Sequence, residues 1–224
     1  MQSLRRRALF TAGGAIAGSM ALPAAASATP RTSSDPLAAL LAGNRRFVAG
    51  RSRHLHQSLA RVHDVAAGQN PFAVVLGCAD SRVPAEILFD QGVGDIFVNR
   101  VAGNVIDDLL LGSIEYAVEE FTPPLIMVLG HERCGAVSAT LSAIRTGAEV
   151  PGHIGAIVDS LTPIVAPFAD DPDGVEKAVR ANIRAQMRAL VEQSEIVRHA
   201  VESGETTLVG ARYDLDSGVV TPLR

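Results

Sequence analysis

The chain has 224 residues, of which 47% are hydrophobic and 20% are charged, and its net charge is −4. This composition is typical of a globular protein rather than a disordered one. The mild acidity argues against a nucleic-acid or anionic membrane partner, and the lack of tryptophan argues against an aromatic platform for stacking bases. We therefore expect a globular protein that has no nucleic-acid partner.

The first 28 residues have the pattern of an export signal. Arg5, Arg6 and Arg7 precede an apolar stretch rich in alanine and glycine, and a small-residue cleavage site follows at 26–28. Consecutive arginines are typical of the twin-arginine export route. We predict a signal peptide over 1–28, a linker over 29–35 and a single domain over 36–224. The domain is expected in the periplasm or outside the cell, without a stable membrane span once the signal is removed.

Downstream of the signal, helical patterns alternate with short apolar strands. Helices are predicted over 37–49, 107–120, 134–145, 175–193 and 194–204, with a further helix within 151–172. Strands are predicted over 72–76, 96–98, 125–129 and 207–215, before a turn at 216–218. The wholly apolar strands 72–76 and 125–129 are typical of parallel strands buried on both faces. The predicted fold class is therefore α/β, with a mainly parallel central sheet flanked by helices.

Two motifs follow the apolar strands directly. Cys78, Asp80 and Arg82 come after the strand at 72–76, and His131 and Cys134 come after the strand at 125–129. Ligands bind outside the carboxyl ends of strands in open α/β sheets, so we expect these side chains to lie close together. Two thiols, an imidazole and a carboxylate are donors that zinc accepts. The sequence therefore predicts a zinc site, with Arg82 placed to pair with Asp80.

The two cysteines allow two interpretations. In an exported protein a cysteine pair commonly forms a disulfide. The acid, arginine and histidine that flank Cys78 and Cys134 favour metal thiolates instead. Cys134 is predicted to begin a helix, and a helix N-terminus stabilises a thiolate, so we expect Cys134 to ionise easily.

The spacing of these motifs resembles that of the β-class carbonic anhydrases. Cys78-x-Asp80-x-Arg82 is followed about fifty residues later by His131-x-x-Cys134. The likeness extends beyond the motifs to four further blocks of sequence, and it covers the chain from about residue 35 to about residue 220. These blocks are 43–50 (GNRRFVAG), 94–104 (GDIFVNRVAGN), 113–117 (SIEYA) and 209–213 (VGARY).

The resemblance implies a zinc enzyme, with one zinc per subunit held by Cys78, His131 and Cys134. Its reaction would be the reversible hydration of CO2 to bicarbonate and a proton by zinc-bound hydroxide. Asp80 would ligate zinc in a closed state and block water. In an open state Arg82 would hold Asp80 away from the metal, and both residues would then take part in catalysis.

The resemblance also implies where the substrate binds. Gln69 would donate a hydrogen bond to a substrate oxygen, while Phe97 and Tyr116 would shape an apolar CO2 pocket, partly across a dimer interface. A homodimer or homotetramer is therefore expected. The residues alone leave a second interpretation open, in which Phe97 and Tyr116 are simply part of the core.

One position departs from the family's pattern. Some bacterial members bind inhibitory bicarbonate in a pocket built from tryptophan, arginine and tyrosine. Arg100 and Tyr213 match the last two, but Val75 stands in place of the tryptophan. We expect that such a pocket does not work in the same way here.

Two other functions remain compatible with the motifs. Related proteins that hydrolyse CS2 or COS share the same zinc ligands, so the ligands do not discriminate between these substrates and CO2. A non-catalytic zinc or bicarbonate sensor would also bind zinc, with Asp80 ligating permanently. Asp80, Arg82 and Gln69 together favour an enzyme.

Overall fold

The computed structural model of the protein describes residues 35–223. The predicted signal peptide and the linker residues before Asp35 lie outside the described residues. The described part contains eight α-helices: α1 (Pro36–Val48), α2 (Leu59–Asp64), α3 (Ala85–Leu88), α4 (Asp108–Phe121), α5 (Gly135–Thr146), α6 (Ile154–Val165), α7 (Gly174–Gln193) and α8 (Glu195–Glu202). It contains five strands: β1 (Ala73–Cys78), β2 (Ile96–Val101), β3 (Leu125–His131), β4 (Thr207–Tyr213) and β5 (Val220–Pro222).

The strands form one sheet in the order β2-β1-β3-β4-β5. The first four strands are parallel, and β5 pairs antiparallel with β4 at the edge. β1 and β3 lie side by side in the middle, and every residue of both strands is buried. This arrangement confirms the predicted α/β class and the mainly parallel sheet.

Both faces of the sheet are covered by helices. Alternate residues of β1 point to opposite faces, so Val74 and Leu76 belong to one core cluster and Ala73 and Val75 to the other. The first cluster includes buried side chains of α4 to α8, and the second includes side chains of α1 and α3. Two-sided burial explains why the central strands contain almost no polar residues.

Side-chain caps fix where several helices begin. The Asp35 carboxylate accepts a hydrogen bond from the backbone N–H of Ala38 at 3.0 Å, ahead of Pro36 in the first helical position. The Ser194 hydroxyl accepts one from Val197 N–H at 3.0 Å and so separates α8 from α7. These caps satisfy backbone donors that have no partner within the helix.

The sequence prediction was wrong about several element limits. β1 and β3 were expected to stop at Leu76 and Leu129, but both continue for two residues and include Cys78 and His131. β2 is likewise longer than predicted and runs to Val101. In β1 and β3, the ladder with neighbouring strands continues past Gly77 and Gly130, which local propensity treats as strand ends.

Two short helices were not predicted, and both lie in polar or proline-containing segments. α2 has only six residues, none of them buried, and α3 has four. Helices of this length lack the repeated apolar stripe on which prediction depends. Among the described residues, no helix has both the length and the apolar character required to cross a bilayer.

Candidate metal centre

The site lies at the switch point of the sheet, where the strand order reverses between β1 and β3. From β1 the chain goes on to β2 on one side, whereas β3 lies on the other side of β1. Such a switch point leaves a crevice at the carboxyl ends of the two central strands. Cys78 is the last residue of β1, His131 is the last residue of β3, and Cys134 directly precedes α5.

Three predicted zinc ligands meet in this crevice. The ligand atoms of Cys78, His131 and Cys134 all lie within 4.8 Å of one another. Their exposed fractions are 4%, 0% and 2%, respectively. Both cysteines are free thiols, so the structure contains no disulfide between them. Two sulfurs and one imidazole are a donor set suited to tetrahedral zinc with a fourth position left for another ligand.

The imidazole of His131 is oriented for coordination. Its Nδ1 lies 2.9 Å from the backbone oxygen of Glu132, and because a carbonyl only accepts, Nδ1 carries the proton and donates it. Nε2 then has a free lone pair, and this buried atom has no hydrogen-bond partner in the described part of the chain. Buried polar atoms are rarely left without a partner, and ligating histidines typically donate their other N–H to such a carbonyl. The residues therefore fit a zinc ion.

The two buried thiols are hydrogen-bonded to each other. The hydrogen bond from the Cys134 thiol lowers the pKa of Cys78 to about 4, against the opposing effect of burial. Gly103 N–H donates a further hydrogen bond to Cys78 Sγ at 3.3 Å. Sharing its proton with Cys78, together with burial, raises the pKa of Cys134.

In the metal-free pair, burial and the second thiol oppose the effect of the helix start on Cys134. The backbone N–H groups of Ala136 and Val137 at the start of α5 do lower its pKa, as the helix argument requires. Sharing the proton with Cys78 and burial outweigh them, because two adjacent thiolates would repel each other in a buried site. A bound divalent cation would remove this difference, since coordinating thiols are deprotonated outright.

Asp80 forms the predicted ion pair with Arg82. Arg82 Nε donates to Asp80 Oδ1 at 2.9 Å, and Nη2 donates to Oδ2 at 2.7 Å. These hydrogen bonds hold the pKa of Asp80 well below its usual range despite partial burial. On its other side Asp80 Oδ2 lies 3.8 Å from His131 Nε2. The carboxylate thus stands between the guanidinium and the cysteine–histidine cluster.

Arg100 contributes to the site in a way that sequence reasoning missed. Its Nε donates to the backbone oxygen of Cys78 at 2.9 Å, and its Nη2 donates to that of Asp80 at 2.6 Å. Arg100 therefore fixes the loop that carries both residues. Val75 and Tyr213 are the other two positions of the bicarbonate pocket considered from the sequence. Val75 is completely buried in β1, and Tyr213 is 5% exposed at the end of β4. The parallel register of β1 and β2, which places position 100 beside residue 77, is the signal that could have found the role of Arg100.

One chain does not bring the three predicted substrate residues to the cluster. Phe97 pairs in register with Val74, four residues before Cys78, so it lies about 13 Å along the strand from the metal end. Tyr116 is 51% exposed, and its ring centroid lies 6.5 Å from that of Phe97. Gln69 is exposed in the loop that enters β1, at the opposite end of that strand.

A fold and site of this kind define a candidate α/β metalloenzyme, and comparison with known proteins identifies its family. The sequence profile described as carbonic anhydrase matches residues 73–220. Carbonic anhydrase 2 of Mycobacterium tuberculosis is 45% identical over 181 residues, which cover 80% of this chain and 87% of the relative. The carbonic anhydrase of Mycolicibacterium smegmatis is 44% identical over 191 residues, which cover 84% of this chain and 93% of the relative.

Solved structures give the same result. The β-carbonic anhydrase of Coccomyxa in complex with acetazolamide is 28% identical, with a TM-score of 0.64 over 85% of this chain and 87% of that one. A tetrameric β-carbonic anhydrase of Sordaria macrospora, 22% identical, shares the fold with a TM-score of 0.67 over 82% of this chain and 94% of that one. The chain belongs to the β-class carbonic anhydrase family. It is an enzyme, and carbonic anhydrases are lyases.

Proposed function

We propose that this protein hydrates CO2 reversibly to bicarbonate and a proton, with one zinc ion held by Cys78, His131 and Cys134. Family membership supports the reaction. The observation that carries the metal assignment is the buried His131 Nε2, which has no hydrogen-bond partner in the described chain and lies beside two thiols. Zinc would supply a Lewis acid that lowers the pKa of coordinated water to about 7, which makes a nucleophile available at neutral pH.

Asp80 and Arg82 would control access to the fourth ligand position. While Arg82 holds the carboxylate through two hydrogen bonds, Asp80 can accept a hydrogen bond from the attacking water and orient its lone pair toward CO2. A carboxylate released from Arg82 would be free to ligate the metal and exclude water. The bidentate Arg82–Asp80 pair supports the open arrangement for this structure.

Gln69, Phe97 and Tyr116 would complete the substrate pocket from a second copy of the chain. Their distance from the cluster within one chain, and the exposure of Tyr116, support a site shared between subunits. An apolar lining suits CO2, which has no charge and no net dipole. A homodimer or homotetramer would then be the active form, and the tetrameric relative from Sordaria macrospora is consistent with this assembly.

We also propose that the protein is exported by the twin-arginine route. Arg5, Arg6 and Arg7 and the apolar stretch that follows support this proposal. Because that route carries folded proteins, zinc could bind both thiols before they reach an oxidising compartment. Fractionation of cells that express the full chain, compared with an Arg6→Lys, Arg7→Lys variant, tests it. Retention of the variant in the cytoplasm would support export, and equal export of both would contradict this route.

One preparation measured twice tests the enzymatic proposal. Zinc content per chain is determined first, and CO2 hydration is then followed by stopped flow from about pH 6 to about pH 9, a range that spans the pKa which zinc confers on water. We expect one zinc per chain and activity that rises with pH. Full zinc occupancy without activity at any pH would indicate a sensor, and faster turnover of CS2 or COS than of CO2 would indicate a different hydrolase. Either result would overturn the proposal.

A further inference from the structure

The loop between the second and third zinc ligands has an unusual backbone. Only Glu132 and Arg133 separate His131 from Cys134, and Arg133 has a φ of 50°. Residues other than glycine, asparagine and aspartate rarely adopt this left-handed backbone conformation. At Arg133 it therefore needs support from its surroundings. The turn at Arg133 sets how far His131, at the end of β3, lies from Cys134, at the start of α5.

An ion pair with a distant turn supplies this support. Arg133 Nη1 donates to Asp216 Oδ2 at 2.9 Å, and Nη2 donates to Asp216 Oδ1 at 2.7 Å. Two parallel hydrogen bonds fix the orientation of the guanidinium as well as its distance. Arg133 and Asp216 are 52% and 72% exposed, respectively. Exposed pairs contribute little to global stability, so stability alone does not account for this one.

The turn that carries Asp216 is itself held in place. Asp214 Oδ1 accepts hydrogen bonds from Asp216 N–H at 3.2 Å and from Ser217 N–H at 2.8 Å. Gly218 N–H donates to the backbone oxygen of Asp214 at 2.9 Å, which closes the turn between β4 and β5. Asp216 is thus presented to Arg133 from a preformed structure.

Glu132 is tied to the same region. Its N–H donates to the backbone oxygen of Tyr213 at 2.9 Å, and its Oε2 accepts from Leu215 N–H at 3.1 Å. The backbone oxygen of Glu132 is the acceptor that orients the His131 ring. Movement of the Arg133 turn would therefore act on the ring through one peptide unit.

We propose that Arg133 and Asp216, named here the clasp, are positioning residues that hold the His131–Cys134 loop in ligand geometry. This inference rests on the zinc site proposed above. The clasp touches no reacting atom, and it acts by holding the left-handed turn that sets the position of His131 relative to Cys134. Loss of the clasp should weaken metal retention more than it weakens the fold.

The test compares zinc loss from Asp216→Asn with loss from the parent and from Lys177→Gln. Lys177 forms an exposed ion pair with Asp171 at 2.6 Å, so its substitution removes a matched pair that does not contact the loop. Zinc transfer to a colorimetric chelator gives the rate. We expect Asp216→Asn to lose zinc about tenfold faster than the parent, as outer-shell substitutions typically do, and Lys177→Gln to match the parent.

Arg133→Gly separates the backbone from the charge. Glycine adopts a φ of 50° without steric cost, so the double variant Arg133→Gly, Asp216→Asn should retain zinc better than Asp216→Asn alone. In the cobalt-substituted protein, the absorption bands should change in Asp216→Asn and return toward those of the parent in the double variant. Thermal unfolding of the metal-free forms should be equal for the parent and Asp216→Asn.

The zinc-loss rates distinguish the clasp, its backbone mechanism and the zinc site itself. Zinc loss from Asp216→Asn at the parental rate would overturn the clasp while leaving the zinc enzyme intact. If the double variant Arg133→Gly, Asp216→Asn loses zinc as fast as Asp216→Asn alone, the clasp does not act by holding the left-handed turn at Arg133. A parent that binds no zinc would overturn the proposed function, and the clasp with it.

Discussion

The Asp80 carboxylate lies between the Arg82 guanidinium and the cysteine–histidine cluster, so its negative charge acts on both groups. Arg82 stabilises the carboxylate with two short hydrogen bonds, and His131 Nε2 lies 3.8 Å away on the other side. An amide would keep the shape of the side chain but would accept more weakly and could not ligate zinc well. The effect of losing this charge can be measured separately from loss of the metal.

We expect Asp80→Asn to lower kcat for CO2 hydration by about 100-fold or more, the typical contribution of a group that orients a proton transfer. Zinc content should stay at the parental value, because Cys78, His131 and Cys134 remain. Stopped-flow hydration and metal analysis on the same sample measure both quantities. Parental kcat with full zinc would refute a catalytic role for Asp80, and loss of zinc would make it a required ligand instead.

The clustering of Cys78, His131 and Cys134 could be predicted from the sequence because each comes at or just after the end of a recognisable apolar strand. Cys78 and His131 are at the carboxyl ends of adjacent strands, which the pattern of hydrophobic runs already implies. Asp216 could not be predicted as a partner of Arg133, because 83 residues separate them and the contact depends on where β4 and its turn lie. The hydrogen bond between Cys78 and Cys134 was not predicted either, since helix position alone says nothing about a second thiol.

At the scale of elements, close backbone approach decides where α1 packs. A side chain added at Gly43 of α1 would place its Cβ 1.7 Å from the backbone oxygen of Phe89, just beyond α3. Asn44 beside it donates to the oxygens of Leu88 and Gly218 at 3.1 and 2.9 Å. α1 therefore joins α3 to the turn that carries the clasp.

We expect Gly43→Ala to lower the free energy of unfolding by about 1–3 kcal/mol, the usual cost of overpacking, because backbone must move to admit the methyl group. Gly155→Ala in α6 is the matched control, since its Cβ would have no heavy atom within 4 Å. That change should be neutral or stabilise by up to about 1 kcal/mol through helix propensity. Urea unfolding of the three proteins measures the difference, and equal midpoints would contradict the packing argument.

The element limits explain what sequence patterns could and could not predict. The apolar runs at 72–76 and 125–129 identified both central strands, but the predicted strands stopped directly before Gly77 and Gly130. Gly130 is inside β3, where an added Cβ would lie 2.6 Å from Ile183 Cγ1 of α7. The glycine is therefore a packing requirement between sheet and helix, which local propensity does not encode.

At the scale of the whole molecule, acid stability depends on buried carboxylates such as Asp90. Burial raises the pKa of Asp90, but hydrogen bonds from Arg53 N–H, Arg46 and His54 N–H outweigh this effect and lower it overall. A carboxyl with a lowered folded pKa stabilises the protein fully above its unfolded value of about 3.9. This stabilisation is lost as pH falls through the folded value.

We therefore expect Asp90→Asn to be less stable than the parent at neutral pH, by about 1–3 kcal/mol for a broken buried ion pair network, and to lose less stability on acidification. Urea unfolding from about pH 7 down to about pH 3, on both sides of the unfolded pKa, measures this. Asp64→Asn on exposed α2 removes the same charge and should follow the parental curve. Parallel curves for the parent and Asp90→Asn would contradict the linkage.

Tyr116 is exposed and contacts the half-buried rings of Phe97 and Phe121, and this aromatic cluster predicts that a single chain is incomplete. We expect Tyr116→Arg to weaken self-association by at least about 2 kcal/mol, as loss of a central interface aromatic typically does. Activity should fall while zinc is retained. Sedimentation and stopped-flow hydration measure both, with Ile154→Arg as the control, because Ile154 is 52% exposed at the start of α6. An unchanged oligomer with unchanged activity would place these rings outside the shared site.

The position of the donors on β1 and β3 has a consequence for the order in which the protein matures. Residues 78 and 131 come together only when two strands that are not consecutive along the chain have paired, after the segment containing β2 and α4 has crossed over. Pairing across such a crossover is slow compared with local helix formation. The proposed zinc site would therefore form only in a chain whose central sheet is already assembled, and a bound ion would mark a folded molecule.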